Sequence, residues 1–99
     1  MTEIQAMTYT APQRGPMTHE LKTWQSYFRV LEDCTKNFEI RRDDRDFRVG
    51  DILLLRETEY GSGAYTGREV RREITYILRH EEGLGLRDGF AILALAPAL

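Results

Sequence analysis

Cysteine occurs once in the 99 residues, at Cys34, so no internal disulfide can hold this chain together and a secreted, staple-dependent fold is excluded. A reducing cytoplasm is the expected setting. The N-terminus has no basic region leading into an apolar run, and no stretch approaches the roughly 18 apolar residues of a membrane span. A soluble chain without a membrane partner is therefore expected. Lysine is scarce as well: of the 14 basic residues, two are Lys and twelve are Arg. Against 16 acidic residues they leave a formal charge of -2 and a pI near 5.7, which argues against holding nucleic acid by bulk positive charge. The arginine bias favours specific, planar pairing with carboxylate or phosphate instead. His19, His80 and Cys34 are too scattered for paired-ligand spacing, so neither zinc nor another cofactor is expected. A phosphate-cradling Gly-rich loop, a nucleophile elbow and a paired-His helix are also missing. Gly83, Gly85 and Gly89 lead into a strand rather than a helix, which makes them turn formers and not a dinucleotide fingerprint.

What remains is an ordinary globular composition. With 41% hydrophobic and 30% charged residues, the chain can bury one modest core but not two. Residues 1–16, with Pro12, Gly15 and Pro16, resist regular structure and read as a flexible tail, leaving 17–99 as the domain. From Trp24 to Cys34 the apolar residues Trp24, Tyr27, Phe28, Leu31 and Cys34 recur at helical spacing. This predicts an amphipathic helix with Thr23 as N-cap and its aromatic stripe in the core rather than serving as a base-stacking platform.

Beyond the helix the period changes to two. Lys36–Arg42 alternates, with Phe38 and Ile40 on the inner face and Glu39 and Arg41 on the other. Asp51–Glu57 carries the apolar run Ile52-Leu53-Leu54-Leu55, read as a strand buried on both faces. Glycines at 61, 63 and 67 punctuate a hairpin loop, after which Glu69–Leu78 and Phe90–Leu95 supply two more strands. The core is predicted to include Leu53, Leu55, Ile74, Tyr76, Ile92 and Leu93. Arg72 breaks the parity of Val70 and Ile74, so it is expected to pair with a carboxylate or to lie at a bulge or an open edge. One early helix, several strands and no βαβ alternation predict a mainly β (α+β) fold, a small β-barrel with an amphipathic helix closing one opening.

The segment from Cys34 to Arg41 resembles the G-x-K-x-x-E-x-R signature of the ASCH superfamily. Lys36, Glu39 and Arg41 stand where the family has its Lys, Glu and Arg, and Cys34 replaces the glycine. The blocks His19-Glu20-Leu21-Lys22, Asp44-Arg45-Asp46-Phe47, Val49-Gly50-Asp51 and Tyr65-Thr66-Gly67-Arg68 are similar to a bacterial and phage branch of small ASCH-type proteins, over roughly Thr18 to Leu95. The resemblance implies a PUA-like barrel and an RNA- or modified-nucleotide-binding module. Its ligand cleft would be lined by Lys36, Glu39 and Arg41, with Arg45 in support. Small bacterial members of this superfamily deacetylate acetylcytidine with a Lys, a Thr nucleophile two residues before the motif Arg, and a distant Glu. Here Lys36 matches that Lys, but Glu39 occupies the Thr position and offers no activated hydroxyl. A binding role is therefore expected ahead of two other readings, a nucleoside amidohydrolase-like enzyme and a phage or bacterial protein-interaction module.

Overall fold

The computed structural model describes residues 14–98. The elements run in the order β1 (Thr18–Trp24), α1 (Gln25–Glu32), β2 (Phe38–Arg42), β3 (Ile52–Thr58), β4 (Tyr65–Arg79) and β5 (Phe90–Pro97). The described residues are thus mainly β with one short helix. All five strands form a single sheet in the order β1-β3-β4-β5-β2, curled into a half-barrel whose two free edges are β1 and β2. β1 and β3 are parallel, and every other neighbouring pair is antiparallel. No helix among the described residues is long and apolar enough to cross a membrane. Most of the expected tail falls on residues 1–13, outside the described residues.

Period-two burial builds the core. Leu53 and Leu55 in β3 and Ala91, Leu93 and Leu95 in β5 face inward, while Ile52 and Leu54 are only half-buried. Leu21, Ile74, Phe47 and Leu31 complete the cluster. Each fully buried leucine contributes about 1.5–3 kcal/mol relative to exposure. Tyr76, expected in the core, is 63% exposed, and Ile92 is half-buried. For Tyr76 the cause is a register shift between Ile74 and Tyr76, where an extra residue on β4 reverses the facing of the strand beyond it. Ile92 alternates with the inward Ala91, Leu93 and Leu95 of β5 and so takes the outer face.

The helix is shorter than its apolar spacing predicts. Thr23 does not cap it, because the pairing of β1 with β3 continues through Trp24 opposite Thr58 and keeps Thr23 in the strand. Trp24 is the N-cap residue and has no side-chain cap bond. Of the predicted apolar stripe only Phe28 and Leu31 are buried, while Trp24, Tyr27 and Cys34 are exposed. At the other end Cys34 takes φ 66°, the left-handed conformation that glycine adopts most easily and that stops a helix. Around that turn the Lys36 N–H donates to the Val30 carbonyl at 2.8 Å.

Arg72 has no carboxylate partner among the described residues and lies neither at a bulge nor on an open edge, since it pairs in register with Leu53 and Pro97 and β4 is the central strand. Its Nη2 donates to the carbonyls of Leu31 (2.8 Å) and Glu32 (3.3 Å). A guanidinium thereby adds a second donor to the Leu31 carbonyl, which already accepts from the Cys34 N–H, and one to that of Glu32, where its charge also suits the helix dipole.

Candidate functional site

β1 and β2 are the two ends of the sheet order, and a cavity opens along the seam between them. It measures about 550 Å³. Lys22, Thr23 and Trp24 line it from β1, Tyr27 from α1, and Phe38, Glu39, Ile40 and Arg41 from β2, with Lys36 just ahead of that strand. The left-handed turn at Cys34 and the Lys36–Val30 backbone bond set Lys36 beside the helix end. From there its Nζ donates to Glu39 Oε1 at 2.5 Å. Arg41, two residues along β2 and so on the same face, donates from Nε to Glu39 Oε2 at 2.8 Å.

The facing of β2 is the reverse of the expected one. Glu39 is 4% exposed, whereas Phe38 and Ile40 are exposed at 41% and 54%. Apolar alternation misleads here because the buried position holds a carboxylate whose charge Lys36 and Arg41 balance. A buried carboxylate is tolerable only when paired and hydrogen-bonded in this way. The structure thus brings Lys36, Glu39 and Arg41 together in one cavity. Arg45 sits outside it, in a separate hollow with Leu21, Arg42, Asp44 and Phe47 that Arg41 also lines. There its Nη1 donates to the Glu20 carbonyl of β1 at 2.8 Å.

Sequence reasoning missed the β1 half of the cavity. The signal was the alternation His19, Leu21, Thr23, obscured because two of the three inward residues are polar. Thr23 is 3% exposed, and its hydroxyl is a buried side-chain polar atom without a hydrogen-bond partner among the described residues. Leaving such a group unpaired costs about 1–3 kcal/mol.

Aromatic rings give the cavity its apolar character. Trp24 and Tyr27 stack with centroids 6.0 Å apart and planes 14° from parallel. The Lys36 ammonium lies 5.1 Å from the Tyr27 centroid and 5.2 Å from that of Phe38, so cation and ring faces share one surface. Flat apolar faces, a buried acceptor and cations around it can hold a planar heterocycle carrying polar edge groups and an anionic substituent.

Asp51 provides the contrast. Buried at 1% exposure, it accepts from Arg14 Nη1 (2.9 Å) and Nη2 (2.8 Å), His19 Nε2 (2.8 Å) and the backbone N–H groups of Met17 and Arg48 (both 3.0 Å). Burial alone would raise its pKa, but the donors, Arg14 first, outweigh it and hold the carboxyl well below the usual carboxylate range. Five donors on two oxygens saturate Asp51 as a structural clasp. Glu39 receives two, and each of its oxygens keeps acceptor capacity.

Comparison with known proteins adds two findings. The family model described as Domain of unknown function (DUF3850) matches residues 18–95. The "Uncharacterized 12.9 kDa protein in GpA 3'region" of Escherichia phage P2 is 39% identical over 57 residues, which is 58% of this chain and 50% of that protein. The chain thus spans about half the length of the curated relative it matches.

Proposed function

We propose that this chain, which belongs to the DUF3850 family, is a small ASCH-type, PUA-like module that binds RNA or a modified nucleotide in the cavity between β1 and β2. The observation that carries the reading is the combination, within about 550 Å³, of exposed aromatic faces with a buried carboxylate held by two cations. Trp24, Tyr27 and Phe38 supply stacking surfaces for a base. Glu39 accepts from base N–H groups, and Lys22, Lys36 and Arg41 meet a carbonyl or phosphate oxygen. The size suits a nucleotide-sized ligand. Because the whole chain carries a net charge of -2, affinity comes from the shaped pocket rather than from a basic stripe.

A hydrolytic reading has less support. Thr23 is the aliphatic hydroxyl at this cavity, and no side-chain base hydrogen-bonds to it among the described residues. An activated nucleophile needs such a partner.

Trp24 is the single tryptophan of the chain and lies in the cavity wall, so its fluorescence reports occupancy directly. Titrating the full chain with a mixed-sequence single-stranded oligoribonucleotide is expected to quench it. Lys36→Ala and Arg41→Ala are each expected to weaken binding by about 1–3 kcal/mol, the range for a hydrogen bond to a charged group. Unchanged affinity in both variants overturns the placement of the ligand, and no quenching or binding by the wild type overturns the reading itself.

A further inference from the structure

The polar pattern of the cavity deepens this reading, on which it rests: we propose that the pocket selects guanine, from a free nucleotide or from an unpaired position in RNA. Glu39 is pinned with one donor on each oxygen, Lys36 on Oε1 and Arg41 on Oε2. An ionised carboxylate has about four lone-pair sites and only accepts, so each oxygen of Glu39 keeps room for a further donor. A donor stands beside one of them. Lys36 spends one N–H on Glu39 and keeps others, whereas Arg41 spends Nε on Glu39 and Nη2 on the Lys22 carbonyl, which commits the guanidinium edge that faces the carboxylate. The pocket therefore offers two acceptor sites on Glu39 with the Lys36 donors next to them.

A base complementary to it must carry two adjacent donors with an acceptor beside them. Guanine does: its N1–H and exocyclic amino group lie side by side, with O6 next to the N1–H. Adenine and cytosine each place a single amino group next to a ring-nitrogen acceptor, and uracil has one N–H between two carbonyls. Any of these three leaves one oxygen of Glu39 facing an acceptor or nothing, in a site where the carboxylate is 4% exposed and an unmet acceptor is costly. Asp51 shows that the fold can saturate a carboxylate when its role is structural. Glu39 is left with room for two more donors in a cavity that Thr23 also lines.

Trp24 fluorescence of the full chain, titrated in parallel with GMP, IMP, AMP, CMP and UMP, tests the assignment. GMP is expected to bind most tightly. IMP, which differs from GMP only by the missing amino group, is expected to bind at least about tenfold more weakly, the scale of one lost base-edge contact. Glu39→Gln is expected to bring the GMP to IMP ratio close to one; should that variant not fold, the wild-type ratio alone decides. A wild-type ratio near one with all five nucleotides bound overturns guanine selection while leaving a nucleotide cavity standing. No binding by any of the five, with binding of oligoribonucleotides blind to guanine content, likewise overturns guanine selection. Failure of every mononucleotide and every oligoribonucleotide overturns the nucleotide reading as well. Comparing GMP with the oligomers UUGUU and UUUUU separates the sources: UUGUU well above both GMP and UUUUU assigns an RNA position, and GMP equal to UUGUU assigns the free nucleotide.

Discussion

Asp51 shows how much a single buried carboxylate contributes when fully satisfied. Its donors come from Arg14, Met17, His19 and Arg48, so one side chain ties the N-terminal approach to β1 to the loop preceding β3. Replacing it by Asn leaves Arg14 and His19 facing an uncharged amide. The cost at pH 7 is expected to be on the order of 3 kcal/mol, at the low end for breaking a buried pair because Arg14 is partly exposed. The pH dependence follows from the direction of the shift. The folded-state pKa lies below the ordinary 3.8, so the unfolded chain takes up the proton first. This contribution is therefore complete above about pH 4 and declines as the pH falls further towards the folded pKa. Urea denaturation from pH 7 to pH 2.5 should show the gap between wild type and Asp51→Asn narrowing below about pH 4. A gap that stays constant through that range contradicts the ionised clasp.

At the scale of elements, the strands from β2 to β5 were legible because apolar alternation and glycine punctuation signal them directly, and Leu53, Leu55, Ile74 and Leu93 lie where parity put them. Legibility failed where the inward positions are polar. β1 hides behind His19 and Thr23, and β2 was turned inside out by the buried Glu39. Lys36, Glu39 and Arg41 share the K-x-x-E-x-R spacing and line one cavity, whereas helical spacing points Trp24 and Tyr27 to the core because it cannot tell a packed stripe from a cavity wall. The departures in β1 and β2 both lie at the seam, where the inward positions are polar, while that of Tyr76 comes from the register shift in β4. Arg72 is a departure of another kind, since nothing local to β4 reveals a helix end above it. Arg72→Met keeps the aliphatic stem and deletes the donors to Leu31 and Glu32. It is expected to lower the unfolding free energy by about 1–3 kcal/mol, the scale for a charged donor. The exposed neighbour Arg71→Met should change it by less than about 0.5 kcal/mol. Chemical denaturation of both variants checks this, and equal effects would show that Arg72 does not support the helix.

Across the whole molecule, the half-barrel has a problem that closure would remove: β1 and β2 each present an unpaired edge. Arginines from the β2 side span the gap. Arg41 Nη2 donates to the Lys22 carbonyl and Arg45 Nη1 to the Glu20 carbonyl, each at 2.8 Å and two residues apart along β1. Two outward carbonyls of an edge strand are thereby satisfied by side chains instead of by a sixth strand, and the space kept between the edges becomes the cavity. Arg41 serves both purposes, since it also holds Glu39, whereas Arg45 lies outside the cavity and serves the seam. The two roles are separable. Arg45→Ala is expected to cost about 0.5–1.5 kcal/mol of stability, the net value of an ordinary hydrogen bond at an exposed site. It should also speed hydrogen exchange at the β1 amides while leaving oligoribonucleotide quenching of Trp24 unchanged. Arg41→Ala should speed the same exchange and also weaken the oligoribonucleotide by about 1–3 kcal/mol. Equal losses of affinity in both variants would place Arg45 in the binding site. Unaltered β1 exchange in both would mean that the arginine bridges do not hold the seam.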